Sequence, residues 1–295
     1  MPINRERIVD MITWKPRRYR LADFDRPLKA PGEISQNSQD WNLSFPFAET
    51  FVPAFEMVCK VDHIDFRRFQ TGSRHYTFLK NVSDKKIEEI KNWFSIISQY
   101  VALRDCLGLS FALDYDKEDG DPNKPQTQIG SLRSRAKPYN AEATLETFSA
   151  ADELAQACLD FLQKVQCYNS VDTIVAMPPS KPNKKFDLPT YLAIKIAKKW
   201  GKTNLSNAVW TVRERLPIKN LALEDKLQAL ENTIQVAPDL FKGKTVLIVD
   251  DLYQSGISIN YVALLLLEAG AENVVGLACE KTCRNDDNIR GRDSR

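Results

Sequence analysis

From residue 149 onward, short apolar runs of strand type alternate with longer runs of helix type. That alternation constrains the fold more than any other feature of the chain. Strand patterns lie at 171–177, 207–212, 244–251 and 273–280, and helix patterns at 149–165, 188–201, 223–232 and 257–271. In the first helix, Leu154, Cys158, Phe161, Leu162 and Val165 recur at helical spacing, and Ser149 is placed to cap it with Asp152 three positions on. Gly201 is placed to end the second. Strands separated by helices pair in parallel through right-handed crossovers. The expected fold is α/β, a doubly wound and mostly parallel sheet with its site at the carboxyl ends of the strands.

The first part of the chain lacks this alternation and is expected to form an additional, helix-rich N-terminal region over residues 1–120. Residues 83–113 read as helical, with Ile87, Ile90, Trp93, Phe94 and Ile97 on one stripe. The segment "DYDKEDGDPNKPQTQ" is charged and carries Pro and Gly, so it reads as a linker. The α/β part is then expected over 128–286, followed by a flexible tail at 287–295.

The stretch "VLIVDDLYQSGIS" (246–258) carries the chemistry. Four apolar residues run into Asp250 and Asp251 at the end of the central strand. One carboxylate suffices for a turn or cap; two neighbours repel unless something binds both. Leu252, Tyr253, Gln254, Ser255, Gly256, Ile257 and Ser258 then form a small-residue turn that opens a helix. Gly256 allows close backbone approach, and the new helix presents free N–H groups and a positive dipole end, which suit a phosphate. Two carboxylates for sugar hydroxyls beside a phosphate cradle describe a site for a ribose 5-phosphate.

This pattern resembles the phosphoribosyl-pyrophosphate (PRPP) loop of type I phosphoribosyltransferases, with Gln254-Ser255 where that family often has Thr-Thr. Other segments extend the likeness over about residues 128–286. Strand 171–177 ends in Pro178-Pro179-Ser180-Lys181, in the place of the family's pyrophosphate loop. Arg213, Arg215 and Lys219 follow strand 207–212, in the place of its mobile basic loop. The order of Arg213, Arg215 and a polar helix ending in Asn, together with Lys137 near Tyr139, is similar to the ComF-like branch. That branch commonly has Thr and Gln where this chain has Pro217 and Asn220.

The resemblance implies a glycosyltransferase of nucleotide metabolism. It would bind PRPP with Mg²⁺ and transfer the phosphoribosyl group to an acceptor that the sequence does not identify, releasing pyrophosphate. It further implies that Asp250, Asp251, Arg213 and Arg215 serve the reaction. Residues 252–258 with Pro179, Ser180 and Lys181 would hold the substrate. Mg²⁺ would be bound through substrate and water, with Asp250 and Asp251 in reach. A second reading keeps the fold without catalysis, as a PRPP or nucleotide sensor or a protein associated with DNA uptake. A homodimer is compatible with either.

Composition limits the alternatives. The formal net charge is +2 over 295 residues, which argues against a chain devoted to coating nucleic acid. The basic stretch "WKPRRYR" (14–20) remains a candidate for a nucleic-acid or protein partner, beside the plainer reading as a solvated face. The six cysteines form no C-x-x-C pair and there are two histidines, so reduced thiols are expected rather than a zinc site. A polar N-terminus and the absence of a long apolar run lead to the expectation of a cytoplasmic protein without a membrane span.

Overall fold

The computed structural model describes residues 105–138, 142–182, 184–215, 218 and 221–283, and before these residues 6, 8, 41–46, 57, 58, 60, 65–68, 75–82, 84–97 and 99–103. The basic stretch at 14–20, the tail at 287–295, and Tyr139, Pro217, Lys219 and Asn220 lie outside the described residues.

Three N-terminal strands, β1 (Trp41–Pro46), β2 (Asp65–Arg68) and β3 (His75–Val82), form an antiparallel sheet in the order β1-β3-β2. Helix α1 (Asp84–Ile97) follows and buries Ile90, Trp93, Phe94 and Ile97. The expected helical run to residue 113 stops there. Val101–Ala102 forms β4 and Ser110–Tyr115 forms β5, and both join the central sheet. Strand β5 has no alternation to reveal it because both its faces are covered, Phe111 and Leu113 on one side and Ala112 and Tyr115 on the other.

The central sheet also takes β6 (Thr173–Ala176), β7 (Thr203–Asn204), β10 (Thr245–Tyr253) and β11 (Asn273–Lys281). Its order is β4-β5-β11-β10-β6-β7, parallel throughout except for β4 at the edge. One face is covered by α1, α2 (Gln128–Ala136), α3 (Leu145–Lys164) and α4 (Leu188–Trp200). The other is covered by α5 (Leu223–Leu230) and α6 (Ile257–Glu268). The mostly parallel, doubly wound α/β architecture is therefore observed. Along β10, Leu247 and Val249 enter the first core, and Val246 and Ile248 enter the second.

Four local expectations are corrected. The division near residue 120 falls inside the α/β unit, because β5 pairs with β11 before that point. The segment 115–128 is a tied turn and not a linker. Lys117 bridges Gln126, the Glu118 N–H donates to the Pro125 carbonyl, and Thr127 caps α2 while its hydroxyl donates to the Tyr115 carbonyl. The strand expected at 207–212 is β8 (Val209–Thr211). It leaves the main sheet and pairs antiparallel with β9 (Ile234–Val236), while β7 takes the edge beside β6. Helix α3 also begins before Ser149, because Thr144 and Thr147 form a reciprocal capping box. Among the described residues no helix is long and apolar enough to cross a membrane.

Candidate functional site

The carboxyl ends of β6 and β10 open into a cleft of about 540 Å³, with a smaller cavity of about 160 Å³ beside the turn after β10. The cleft gathers most of the expected residues. Asp250, Asp251, Leu252, Gln254 and Ser258 come from β10 and its turn, Pro179, Ser180 and Lys181 from the loop after β6, and Arg215 from the segment after β8. The cavity is lined in part by Tyr253, Ser255, Gly256 and Ser258.

The two adjacent aspartates have different surroundings. Strand alternation turns Asp251 toward the α2 face, where Arg133 Nε lies 3.0 Å and Lys137 Nζ 2.6 Å from its Oδ2. The Arg133 guanidinium also reaches Glu280 on β11, at 2.8 Å. Arg133, Asp251 and Glu280 are all buried. Burial alone would raise the pKa of Asp251, but Lys137 and Arg133 outweigh it and hold the carboxyl below its ordinary range. Burial pushes Glu280 up to about 7, with Arg133 opposing and Asp116 and Asp251 adding to the rise.

Asp250 faces the cleft and is half-buried. Its Oδ1 accepts the Asp251 N–H at 2.8 Å. Burial and then the charge of Asp251 raise its pKa to about 7, against the pull of Lys137. One carboxylate is thus neutralised by fixed cations, and the other faces the cleft with its ionised form disfavoured. A ligand that brings positive charge to Asp250 would draw off its proton.

On the opposite wall, Arg215 is anchored through its backbone N–H to the Ser180 carbonyl at 2.9 Å and through Nη2 to the Pro178 carbonyl at 2.5 Å. Its Nε is buried without a hydrogen-bond partner. Such an orphan donor carries a desolvation cost that an anion in the cleft would relieve. Lys181 lies at the exposed rim and pairs with Glu214 at 2.6 Å.

The turn after β10 is held from behind. Tyr253 Oη donates to Asp105 at 3.2 Å, and Asn260 Nδ2 donates to the Gly256 carbonyl at 2.7 Å. Gly256 has φ +78°, and a Cβ there would fall 2.2 Å from Tyr253 Oη. Gly256→Ala is therefore expected to lower stability by about 1–2 kcal/mol from the left-handed backbone alone, with the contact to Tyr253 adding to it. Urea unfolding measures this, and an unchanged midpoint would show that the turn can reshape.

Not every expected residue is placed in the site. Arg213 is exposed and donates to the Glu231 carbonyl at 3.1 Å, outside the cleft lining. The Ile257 side chain is wholly buried in the α6 core, and the Tyr253 ring packs in that same core. Conversely, Arg133 and Glu280 belong to the buried cluster around Asp251 and carry no motif in the sequence. Arg133 and Lys137 stand four residues apart, the spacing of neighbours on one helix face, which was the available signal. Nothing local marks Glu280.

Residues 206–284, which contain β10 with Asp250, the turn after it and β11, match the phosphoribosyl transferase domain family. No curated protein matches the chain. Among solved structures, the chain is similar to adenine phosphoribosyltransferase from Thermoanaerobacter pseudethanolicus, with 16% identity and a TM-score of 0.32 over 52% of this chain and 99% of that one. It is also similar to glutamine PRPP amidotransferase from B. subtilis, with 13% identity and a TM-score of 0.36 over 80% of this chain and 46% of that one.

Proposed function

We propose that the chain binds PRPP together with Mg²⁺ and transfers its phosphoribosyl group to an acceptor, releasing pyrophosphate. One observation carries this reading: Asp250 and Arg215 face the same cleft, at the mouth of a glycine turn that opens a helix. The match of residues 206–284 to the phosphoribosyl transferase domain family agrees with it.

In the reaction, the bond from C1 of the ribose to the pyrophosphate oxygen breaks, and its electron pair leaves with pyrophosphate. The acceptor forms the new bond to C1 and gives up a proton. Positive charge builds on the sugar and negative charge on the leaving group, so placement and electrostatics carry the rate. Asp250 would hold ribose hydroxyls and balance the sugar's charge. Asp251, fixed by Arg133 and Lys137, would orient the strand end rather than grip the sugar directly. Arg215 would receive the pyrophosphate, with Lys181 and Ser180 at the rim. The turn at 254–258 would hold the 5-phosphate.

The residues fit Mg²⁺ brought in with the substrate. The cleft lining presents the Asp250 carboxylate, while Asp251 is held by Arg133 and Lys137. Mg²⁺ prefers one or two carboxylates plus substrate phosphates, and would supply charge neutralisation of the pyrophosphate.

The test is release of pyrophosphate from PRPP with nucleobases and amines offered in turn. Turnover with one of them is expected. PRPP binding with no turnover on any acceptor would favour the sensor reading. The two arginines separate the site further. Arg215→Ala should weaken binding of magnesium pyrophosphate by about tenfold or more, as for a lost charged hydrogen bond. Arg213→Ala should leave it unchanged. The reverse order would show that the segment after β8 rearranges on binding.

A further inference from the structure

The turn after β10 is braced by a part of the chain that lies behind it. Asp105 and Cys106 sit in the connection between β4 and β5, and neither lines the cleft or the smaller cavity. Each reaches Gly256 through one intervening side chain. Asp105 Oδ2 accepts from Tyr253 Oη at 3.2 Å, and that hydroxyl lies 2.2 Å from where a Cβ on Gly256 would stand. The Cys106 N–H donates to Asn260 Oδ1 at 2.8 Å, and Asn260 Nδ2 donates to the Gly256 carbonyl at 2.7 Å. Two successive residues of one loop therefore hold the same glycine from two sides.

Asp105 is a costly residue for a buried loop. It is 2% exposed. Among the described residues its donors are neutral: the Leu107 N–H at 3.1 Å and the hydroxyls of Ser110 and Tyr253. A carboxylate buried among neutral donors loses much of its hydration energy, and burial pushes this one up to about 6. An apolar side chain would fill the space at less cost. What only the carboxylate supplies is a fixed acceptor for the Tyr253 hydroxyl.

The front of the same turn lines the smaller cavity with Ser255, Gly256 and Ser258. A glycine turn has wide conformational freedom, and a ligand that must order it loses affinity. A turn held in place before binding avoids that loss.

We infer that Asp105 is a positioning residue, which acts through Tyr253, beside the Cys106–Asn260 tie, to hold the 254–258 turn in its binding shape without touching ligand. The inference rests on the phosphoribosyl reading of the cleft. It extends that reading to the β4–β5 connection, to which the reading gives no role.

Ribose 5-phosphate and magnesium pyrophosphate are titrated separately into the full chain, as wild type, Asp105→Asn, Tyr253→Phe and the double variant. Each single change should weaken ribose 5-phosphate by about tenfold, as for a lost hydrogen bond to a charged group. Each should leave pyrophosphate, which goes to the Arg215 end, unchanged. The double variant should lose no more than the weaker single variant, because both changes break one link. Equal affinity of wild type and Asp105→Asn for ribose 5-phosphate overturns the inference. So does a parallel loss of both ligands, which would mark Asp105 as general support of the fold. Additive losses overturn it as well, because Tyr253 would then act independently of Asp105. If wild type binds no ribose 5-phosphate, the phosphoribosyl reading fails and takes the inference with it, an outcome distinct from the other three. Should Asp105→Asn not fold, Tyr253→Phe decides, since it deletes a single hydroxyl. Its ribose 5-phosphate affinity must fall while its pyrophosphate affinity holds, and an unchanged ribose 5-phosphate affinity overturns the assignment.

Discussion

Asp251→Ala is expected to cost about 3–5 kcal/mol of stability, the range for removing one partner from a buried ion pair. Asp251 accepts from both Arg133 and Lys137, so its removal strips both cations of this partner at once. Arg133 retains Glu280, but Lys137 is left with its charge at the cleft wall. Most domains have only about 5–15 kcal/mol in total, so the loss is a large share. Asp251→Asn should fall between Ala and wild type, because an amide oxygen still accepts hydrogen bonds. Urea unfolding gives the comparison. Wild-type stability in Asp251→Ala would mean that the buried cluster contributes nothing.

Asp250→Asn should behave oppositely. Its carboxyl is raised from the ordinary 3.8 to about 7, so the folded state holds this proton more firmly than the unfolded chain. Such a group weakens the fold as pH rises from its unfolded value toward its folded one, because the unfolded chain releases the proton first. Asn removes that penalty. The variant should be as stable as wild type near pH 4 and more stable at and above about pH 7. Ligand binding should move the other way. Loss of a charged hydrogen bond to the ribose contributes about 1.5–3 kcal/mol, which is roughly ten- to a hundredfold in PRPP affinity. Two neighbours in one strand thus separate by sign: one change damages the fold, and the other spares the fold and damages binding. A destabilised Asp250→Asn at pH 7 would make Asp250 a structural group instead.

That separation is also where the sequence stopped being legible. An apolar run ending in two acids and a glycine turn located the cleft, because both features are local. The different surroundings of the acids depend on Arg133, which is 118 residues away in sequence and reaches Asp251 only after α2 packs on the sheet. Adjacent carboxylates therefore read as a pair gripping one ligand, whereas strand alternation sends Asp251 to fixed cations. Strand β10 and helices α3, α4 and α6 were readable from period and caps. Strand β5 was not, since burial on both faces removes the period that distinguishes a strand from a buried helix. Strand β8 had a strand's composition but no feature to tell a central sheet from a separate ribbon.

Titration of PRPP into the full chain by calorimetry, with and without Mg²⁺, tests the central claim most directly. Saturable binding that needs Mg²⁺, and that Asp250→Asn weakens by about ten- to a hundredfold, is the predicted result. No binding of PRPP by the wild-type chain in the presence of Mg²⁺ would contradict it, and Asp250 would then be the polar end of a strand beside a cleft of some other use.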